Sequence, residues 1–244
     1  MKPAPIKESE YIQPNNKDLY EIFKHNNVVD WTTDKILDFG CNVGNYVANA
    51  GTNITPHNYL GIDLNLPAIE QARLQHPRFN FVHYNKWHPS YNPTGIPNLQ
   101  VKDFVNEKFD VVIAYSVFTH LSLAQAKQEI DNLLAVLVPG GQLLFTIWSS
   151  TIFQPFYQWV RDRYSVPEID FSTVDYNTVA YWLNNQDVVL DQDRIDLNCD
   201  SVCTYYKIPE FLKLFPNARI LGIPPGQHQT LVQITNPGVT RGLD

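Results

Sequence analysis

The chain has 244 residues, 44% of them hydrophobic and 13% aromatic, which is enough to bury a full core in one α/β domain with an elaboration. Its formal net charge of -7 and pI near 5.4 argue against a nucleic-acid-binding surface, which normally shows as a basic excess. No apolar run is long enough to span a bilayer, and residues 1–5 lack the apolar core of a signal peptide. We therefore expect a cytoplasmic protein without a membrane or nucleic-acid partner. A tRNA or rRNA substrate is a disfavoured alternative, which would need a local basic pocket.

Residues 1–34 are predicted to form a helical cover for the domain that follows. They are polar and proline-bearing at first, and then give an amphipathic helix between Asn16 and Asn26. A helix that lies over a ligand pocket and a helix that is merely packed on the sheet edge fit this pattern equally well.

Residues 35–45, KILDFGCNVGN, predict a strand, a glycine turn and the start of a helix. This arrangement brings backbone N–H groups and a helix N-terminus against a nucleotide-like ligand. A second acid, Asp63, ends the next apolar run twenty-five positions after Asp38. That spacing suits one βαβ unit, in which the second acid accepts hydrogen bonds from ribose hydroxyls.

The glycine turn lacks two of the three glycines of the dinucleotide fingerprint G-x-G-x-x-G. Counted from Gly40, the third position is Asn42 and the sixth is Asn45. A nicotinamide cofactor is therefore disfavoured. Asparagine is the non-glycine residue that best tolerates a positive φ, so Asn42 can preserve the turn.

The remaining elements alternate between strands and helices. The run FDVVIAYS at 109–116 is almost continuously apolar, as in a parallel strand that is buried on both faces. Ser122 is predicted to cap a helix that continues through Val138 and ends at Pro139-Gly140-Gly141. The other predicted strands are 35–38, 58–63, 79–84, 142–148, 219–223 and 229–235, and the other helices are 44–50, 67–75 and 208–215.

Four segments resemble, in the family's own order and spacing, the motifs of class I S-adenosylmethionine-dependent methyltransferases. They are DFGCNVG, FVHYN with the later YNPTG, FDVVIAYSVFTH and LVPGGQLLF, and they lie within residues 35–148, a little under half of the chain. The chain departs from the family at Asn42, which replaces the middle glycine, and at Asn85, where the family often carries an acid. The resemblance implies an α/β fold: a Rossmann-like seven-stranded, mostly parallel sheet with helices on both faces, an antiparallel C-terminal edge hairpin and an inserted lid.

The resemblance also implies the cofactor, S-adenosyl-L-methionine, with S-adenosyl-L-homocysteine as product. Asp38 would lie near the methionine amino group, Asp63 would hold the ribose, and Asn85 would accept from the adenine amino group through its carbonyl. The implied cofactor-binding residues are Asp38, Gly40, Cys41, Asn42, Gly44, Asp63, Leu64, Asn85, Lys86 and Tyr115.

Methyl transfer from a sulfonium is an in-line displacement, so the protein mainly has to hold the reactants in line and remove a proton. His120, just beyond the fourth strand, is the predicted general base, because a neutral imidazole can take a hydroxyl or amine proton near pH 7. Packing or capping of the following helix is the alternative role for His120. Trp148, Tyr157 and His228 are predicted to contact the substrate.

Four regions are predicted: the helical cover 1–34, the cofactor-binding core 35–148, an aromatic-rich substrate lid 149–207, and a C-terminal helix with edge hairpin 208–244 that completes the core sheet. The aromatic residues of 149–207 fit the core of a small subdomain equally well. The three cysteines, Cys41, Cys199 and Cys203, do not have metal-ligand spacing, so no metal site is predicted.

The predicted function is methyl transfer to a small-molecule acceptor, on oxygen rather than nitrogen because a histidine base is available. One alternative is a protein of the same fold that binds the cofactor without transferring methyl and acts in regulation or assembly. Asn42 and Asn85 motivate that alternative, since both stand at predicted cofactor contacts. A nicotinamide oxidoreductase is the second alternative.

Overall fold

The computed structural model describes residues 19–24, 29–88, 91–149, 178–182, 188–189, 202–224 and 229–238. The strands in these ranges are β1 Ile36–Phe39, β2 Tyr59–Asp63, β3 Asn80–His83, β4 Phe109–Ala114, β5 Leu137–Ser149, β6 Thr178–Trp182, β7 Val188–Val189, β8 Val202–Tyr206, β9 Ala218–Gly222 and β10 Thr230–Thr235. The α-helices are α1 Leu19–Lys24, α2 Asn45–Ala50, α3 Leu66–Gln75, α4 Leu123–Leu134 and α5 Ile208–Leu214. Short 3-10 turns cover Gly51–Asn53, Val101–Asp103 and Phe118–His120.

Seven of these strands form the central sheet in the order β3-β2-β1-β4-β5-β10-β9. Strands β1 to β5 run parallel to one another, and β1 lies in the middle because Ile36 pairs with both Tyr59 of β2 and Val111 of β4. Strand β10 is antiparallel to both β5 and β9. The predicted seven-stranded, mostly parallel sheet with an antiparallel C-terminal edge hairpin is confirmed.

Three further strands continue from the end of β5. Trp148 and Ser149 pair in parallel with Tyr205 and Tyr206 of β8, and β6 is antiparallel to both β8 and β7. These three strands fall in the region 149–207, which lies between β5 and α5 in the sequence.

The central sheet separates two apolar clusters, because successive side chains of a strand point to opposite faces. On β1, Leu37 packs in the cluster that contains α4 and α5, whereas Ile36 packs in the cluster that contains α1, α2 and α3. All four residues of β1 are buried. The order of layers is therefore helix, sheet, helix, with β1 at the centre.

The structure corrects the predicted helix through Val138. Helix α4 begins after the Ser122 cap, whose side chain accepts from the Gln125 backbone N–H, but it ends at Leu134. Residue Val138 already belongs to β5, because a β-branched residue before proline disfavours the α conformation. The Pro-Gly-Gly segment forms an irregularity inside β5, where the pairing with β4 jumps from Leu137 to Gln142.

Candidate cofactor-binding site

The carboxyl ends of β1 to β5 meet at one edge of the sheet. Strand order reverses between β1 and β4, and open α/β sheets bind ligands in the crevice at such a point. The predicted site residues in the described ranges all lie in or directly after these strand ends: Asp38 to Gly44, Asp63 and Leu64, Asn85 and Lys86, Tyr115 to His120, and Trp148. Tyr157 and His228 lie outside the described residues.

The loop after β1 is built from three residues in the left-handed conformation. The φ angles are 82° at Gly40, 51° at Asn42 and 84° at Gly44. Asn42 therefore adopts the conformation that a glycine would supply, as the sequence predicted. A Cβ on Gly40 would lie only 2.4 Å from Val117 Cγ2, so the loop after β1 and the turn after β4 are in direct contact.

Asp63 joins two backbone segments through its carboxylate. Its Oδ2 accepts the Asn42 N–H at 2.9 Å, and its Oδ1 accepts the Asn65 N–H at 2.8 Å. Burial raises the pKa of Asp63, and these backbone hydrogen bonds oppose the shift. Each oxygen keeps a second lone pair, so the carboxylate can also accept from a pair of ligand hydroxyls.

Asp38 is 4% exposed, and its Oδ2 accepts a hydrogen bond of 2.6 Å from the Tyr59 hydroxyl. Burial raises the pKa of Asp38 to about 7, and the negative charge of Asp63 adds to the shift. The nearby Tyr46 hydroxyl is buried and has no hydrogen-bond partner among the described residues. Its pKa is raised by burial and by the charge of Asp38, so the two groups lie within electrostatic range. A buried carboxylate beside an unsatisfied hydroxyl, with Asp63 nearby, fits a ligand that carries both an ammonium group and hydroxyls.

Two side chains that are not among the predicted site residues, those of Asn92 and Glu129, hold the segment after β3. Asn92 Nδ2 donates to the Lys86 carbonyl and to Asn85 Oδ1, both at 3.0 Å. The Lys86 ammonium forms an ion pair with Glu129 of α4, which also accepts from Asn132 Nδ2 at 2.8 Å. The ammonium group of Lys86 therefore points toward α4. Burial lowers the pKa of Lys86. Nothing in the sequence signalled this pair, since the two residues are 43 positions apart.

His120 ends the 3-10 turn that follows β4, where its backbone N–H donates to Val117 O at 3.1 Å. The structure adds His88, which sequence reasoning missed. Burial lowers the pKa of His88, and the positive charges of His120 and Lys86 lower it further. The two imidazoles therefore lie within electrostatic range of each other, in segments that follow different strands.

Three further predicted cofactor-binding residues, Cys41, Leu64 and Tyr115, lie at the same edge of the sheet. Cys41 is buried, its Sγ donates to Asn42 O at 3.7 Å, and burial raises its pKa. The Leu64 carbonyl lies 3.0 Å from His83 Nε2. Tyr115 is partly buried against the α1–α3 cluster. No group of three or more His, Cys, Asp or Glu side chains that could hold a metal is found in the described part of the chain.

Comparisons with known proteins match part of this chain to methyltransferases. Residues 37–143 match the family described as "Methyltransferase domain". A curated relative, "Probable tRNA methyltransferase 9B" of Bos taurus, is 30% identical over 115 residues, which are 47% of this chain. The match spans about a fifth (21%) of that relative's length.

Solved structures share the fold at low sequence identity. Magnesium protoporphyrin IX methyltransferase from Synechocystis with bound SAH has a TM-score of 0.52 at 11% identity, covering 90% of this chain and 81% of that one. The glycopeptide N-methyltransferase MtfA has a TM-score of 0.53 at 10% identity, covering 91% and 90%. A methyltransferase from Clostridium acetobutylicum has a TM-score of 0.51 at 17% identity, covering 91% of each chain.

The sheet order, the left-handed loop after β1 and the acid that ends β2 define a Rossmann-like domain of the class I methyltransferase type. The match of residues 37–143 to the methyltransferase-domain family and the fold shared with solved methyltransferases agree with the predicted class and cofactor. Among the described residues, no helix is both long enough and apolar enough to cross a membrane.

Proposed function

We propose that the protein transfers the methyl group of S-adenosylmethionine to a small-molecule acceptor and releases S-adenosylhomocysteine. The observation that carries this proposal is the convergence of Asp38, the loop Gly40–Gly44, Asp63 and the His120 turn at one edge of the sheet. S-adenosylmethionine supplies an electrophilic methyl group on a good leaving group. The chain's own task is to bind, orient and deprotonate.

Each end of the methyl donor has a residue suited to it. The buried Asp38 carboxylate suits the ammonium of the methionine moiety, and the Tyr46 hydroxyl adds a polar group beside it. The Asp63 carboxylate suits the ribose hydroxyls, because backbone N–H groups hold both of its oxygens in place. Asn85, on the neighbouring strand end, suits the base.

His120 is proposed as the general base. It lies after β4, next to the strand that carries the left-handed loop, so the acceptor would meet the methyl group between β1 and β4. A base at this position favours an oxygen acceptor, since a hydroxyl must lose its proton to become a good nucleophile. The aromatic-rich region 149–207 and Trp148 are proposed to form the acceptor wall.

An RNA acceptor is the second candidate, because the curated relative is described as a probable tRNA methyltransferase. The net charge of -7 is what favours the small molecule, since RNA binding relies on a basic surface. We also propose that the protein is cytoplasmic, as the sequence leads us to expect.

The test is an isotope-transfer assay with labelled S-adenosylmethionine on three acceptor panels: hydroxylated compounds, amines and total tRNA. Label in the hydroxyl panel supports the proposal, whereas label in tRNA alone replaces it with the second candidate. S-adenosylhomocysteine binding without transfer to any panel favours the non-catalytic alternative. His120→Gln should lower kcat by about 100-fold or more, while the control His57→Gln, at an exposed site, should not.

A further inference from the structure

A closed ring of hydrogen bonds joins the turn after β4 to β5 and to the residue that precedes β10. The Ser116 N–H donates to Thr146 Oγ1 at 2.8 Å, and the Thr146 hydroxyl donates to Gln229 Oε1 at 2.5 Å. Gln229 Nε2 then donates to Ser116 Oγ at 3.0 Å. Thr146 is 1% exposed and Gln229 is 8% exposed, so water does not compete for these groups.

Every member of the ring uses its hydrogen-bonding capacity. A backbone N–H can only donate, so the Thr146 hydroxyl accepts from Ser116, and its own O–H donates to Gln229 Oε1. With Oε1 toward Thr146, the Gln229 Nε2 faces Ser116 Oγ and donates to it. Both ends of the Gln229 amide therefore have a partner within the ring.

The residue that the ring holds is in a disfavoured conformation. Ser116 has a φ of 57°, in the left-handed region that non-glycine residues rarely adopt. Such a residue persists only when its surroundings determine its position, and these residues concentrate at functional sites. Thr119 adds to the restraint, because its hydroxyl donates to Ser116 O at 2.9 Å.

Ser116 sets the direction of the chain at the acceptor side of the site. It directly follows Tyr115, and the turn that it begins contains Val117, in contact with Gly40, and ends at His120. Strand β10 pairs antiparallel with β5, so Gln229 reaches this edge from the C-terminal hairpin. A residue 113 positions away in sequence is therefore hydrogen-bonded to the residue at which the chain leaves β4.

We propose that Gln229 is a positioning residue, which acts through Thr146 and Ser116 to place the proposed base His120 relative to the acceptor. This inference rests on the proposed function. It predicts that loss of the ring reduces turnover far more than the affinity for the methyl donor, because Asp38, the loop Gly40–Gly44 and Asp63 belong to other strand ends and the loop meets the turn only at the Gly40–Val117 contact.

The test compares Gln229→Leu with Gln233→Leu. Gln233 is a matched control, since it is a buried glutamine of β10 four positions after Gln229, and its Nε2 donates to Gln142 Oε1 at 2.8 Å, outside the ring. Three quantities are measured: the S-adenosylhomocysteine Kd by calorimetry, the His120 ring signals by NMR without acceptor, and kcat and KM with acceptor. Thr146→Val and Thr146→Ser form a second pair, in which only serine keeps the hydroxyl.

We expect Gln229→Leu and Thr146→Val to shift the His120 signals and to lower kcat by about 10- to 100-fold, with Kd unchanged within about twofold. Gln233→Leu and Thr146→Ser should resemble the wild type. Adding Ser116→Gly to Gln229→Leu should restore part of the turnover, because glycine adopts a positive φ without the ring.

The inference is overturned if Gln229→Leu leaves the His120 signals as in the wild type, if Gln233→Leu shifts them equally, or if donor affinity falls by as much as turnover. The NMR comparison needs no acceptor, so it stands even if no transfer is found. An inactive wild type with ring-dependent His120 signals would therefore remove the proposed function and keep the positioning role of Gln229. Should Gln229→Leu not fold, the Thr146 pair decides.

Discussion

Asn42 and Asp63 are joined by a hydrogen bond of 2.9 Å from the backbone N–H of the first to the carboxylate of the second, across 21 positions of sequence. The loop after β1 is thus held in place by the side chain that is proposed to bind the ribose. The acid orders the loop before any ligand arrives. Substitution of Asp63 should therefore affect both the loop and the ligand.

Asp63→Asn should weaken S-adenosylhomocysteine binding by about 10- to 100-fold, because one or two hydrogen bonds to a charged group are lost. Both carboxylate oxygens accept backbone N–H groups, so an amide must turn its own NH₂ toward one of these donors. Calorimetric titration measures the affinity. Asp131→Asn, on the exposed surface of α4, is the control, and equal affinities of the two variants would contradict the role of Asp63.

Asn42→Ala should destabilise the protein by about 1–2 kcal/mol, because alanine is disfavoured at a φ of 51°. Asn42→Gly should retain or increase stability, since glycine adopts this conformation freely. Urea unfolding of the two variants measures the difference. The conformational explanation fails if alanine is tolerated as well as glycine.

Asp38→Asn should change how stability depends on pH. The pKa of Asp38 is about 7 in the folded protein and near 3.8 when unfolded, so between these values the folded state holds a proton that the unfolded state has lost. The free energy of unfolding should therefore fall as the pH rises from about 4 to about 7, and this contribution should then level off.

The difference between wild type and Asp38→Asn isolates this contribution, because the raised pKa values of Asp34 and Asp63 act in the same direction in both proteins. Urea unfolding at several pH values measures it. Parallel pH profiles of the two proteins would show that Asp38 does not titrate as its burial implies.

Tyr206→Phe should lower the free energy of unfolding by about 1–3 kcal/mol. The Tyr206 hydroxyl lies 2.7 Å from Phe118 O and 2.5 Å from Leu121 O, and its loss leaves two carbonyls near the His120 turn without this donor. Thermal unfolding measures the effect. Tyr91→Phe, at a side chain that is 46% exposed, should change stability far less.

The sequence predicted the parts of this molecule that depend on local pattern. Apolar runs predicted the positions of β1 to β5. Because these strands are parallel, their carboxyl ends, which carry Asp38, Asp63 and His120, lie at one edge of the sheet. The conformation of Asn42 followed from its residue type. The predicted end of α4 at Val138 was wrong, because the Pro-Gly-Gly segment is a break inside β5 and the helix already ends at Leu134.

The polar networks could not be predicted, because each joins residues that share no repeating pattern. Lys86 meets Glu129 only after α4 packs on the sheet, and Gln229 meets Thr146 across 83 positions. Such pairs are fixed by strand register and by the requirement that buried polar groups find partners. Neither is encoded in a local motif.

The contact between Gly40 and Val117 has a thermodynamic consequence. Gly40 belongs to the loop for the methyl donor, whereas Val117 belongs to the turn proposed to serve the acceptor, and no space remains between them for a single added carbon. A shift of either segment on binding must be felt by the other. We expect the two binding equilibria to be coupled, and linkage requires that the acceptor change donor affinity by the same factor as the donor changes acceptor affinity.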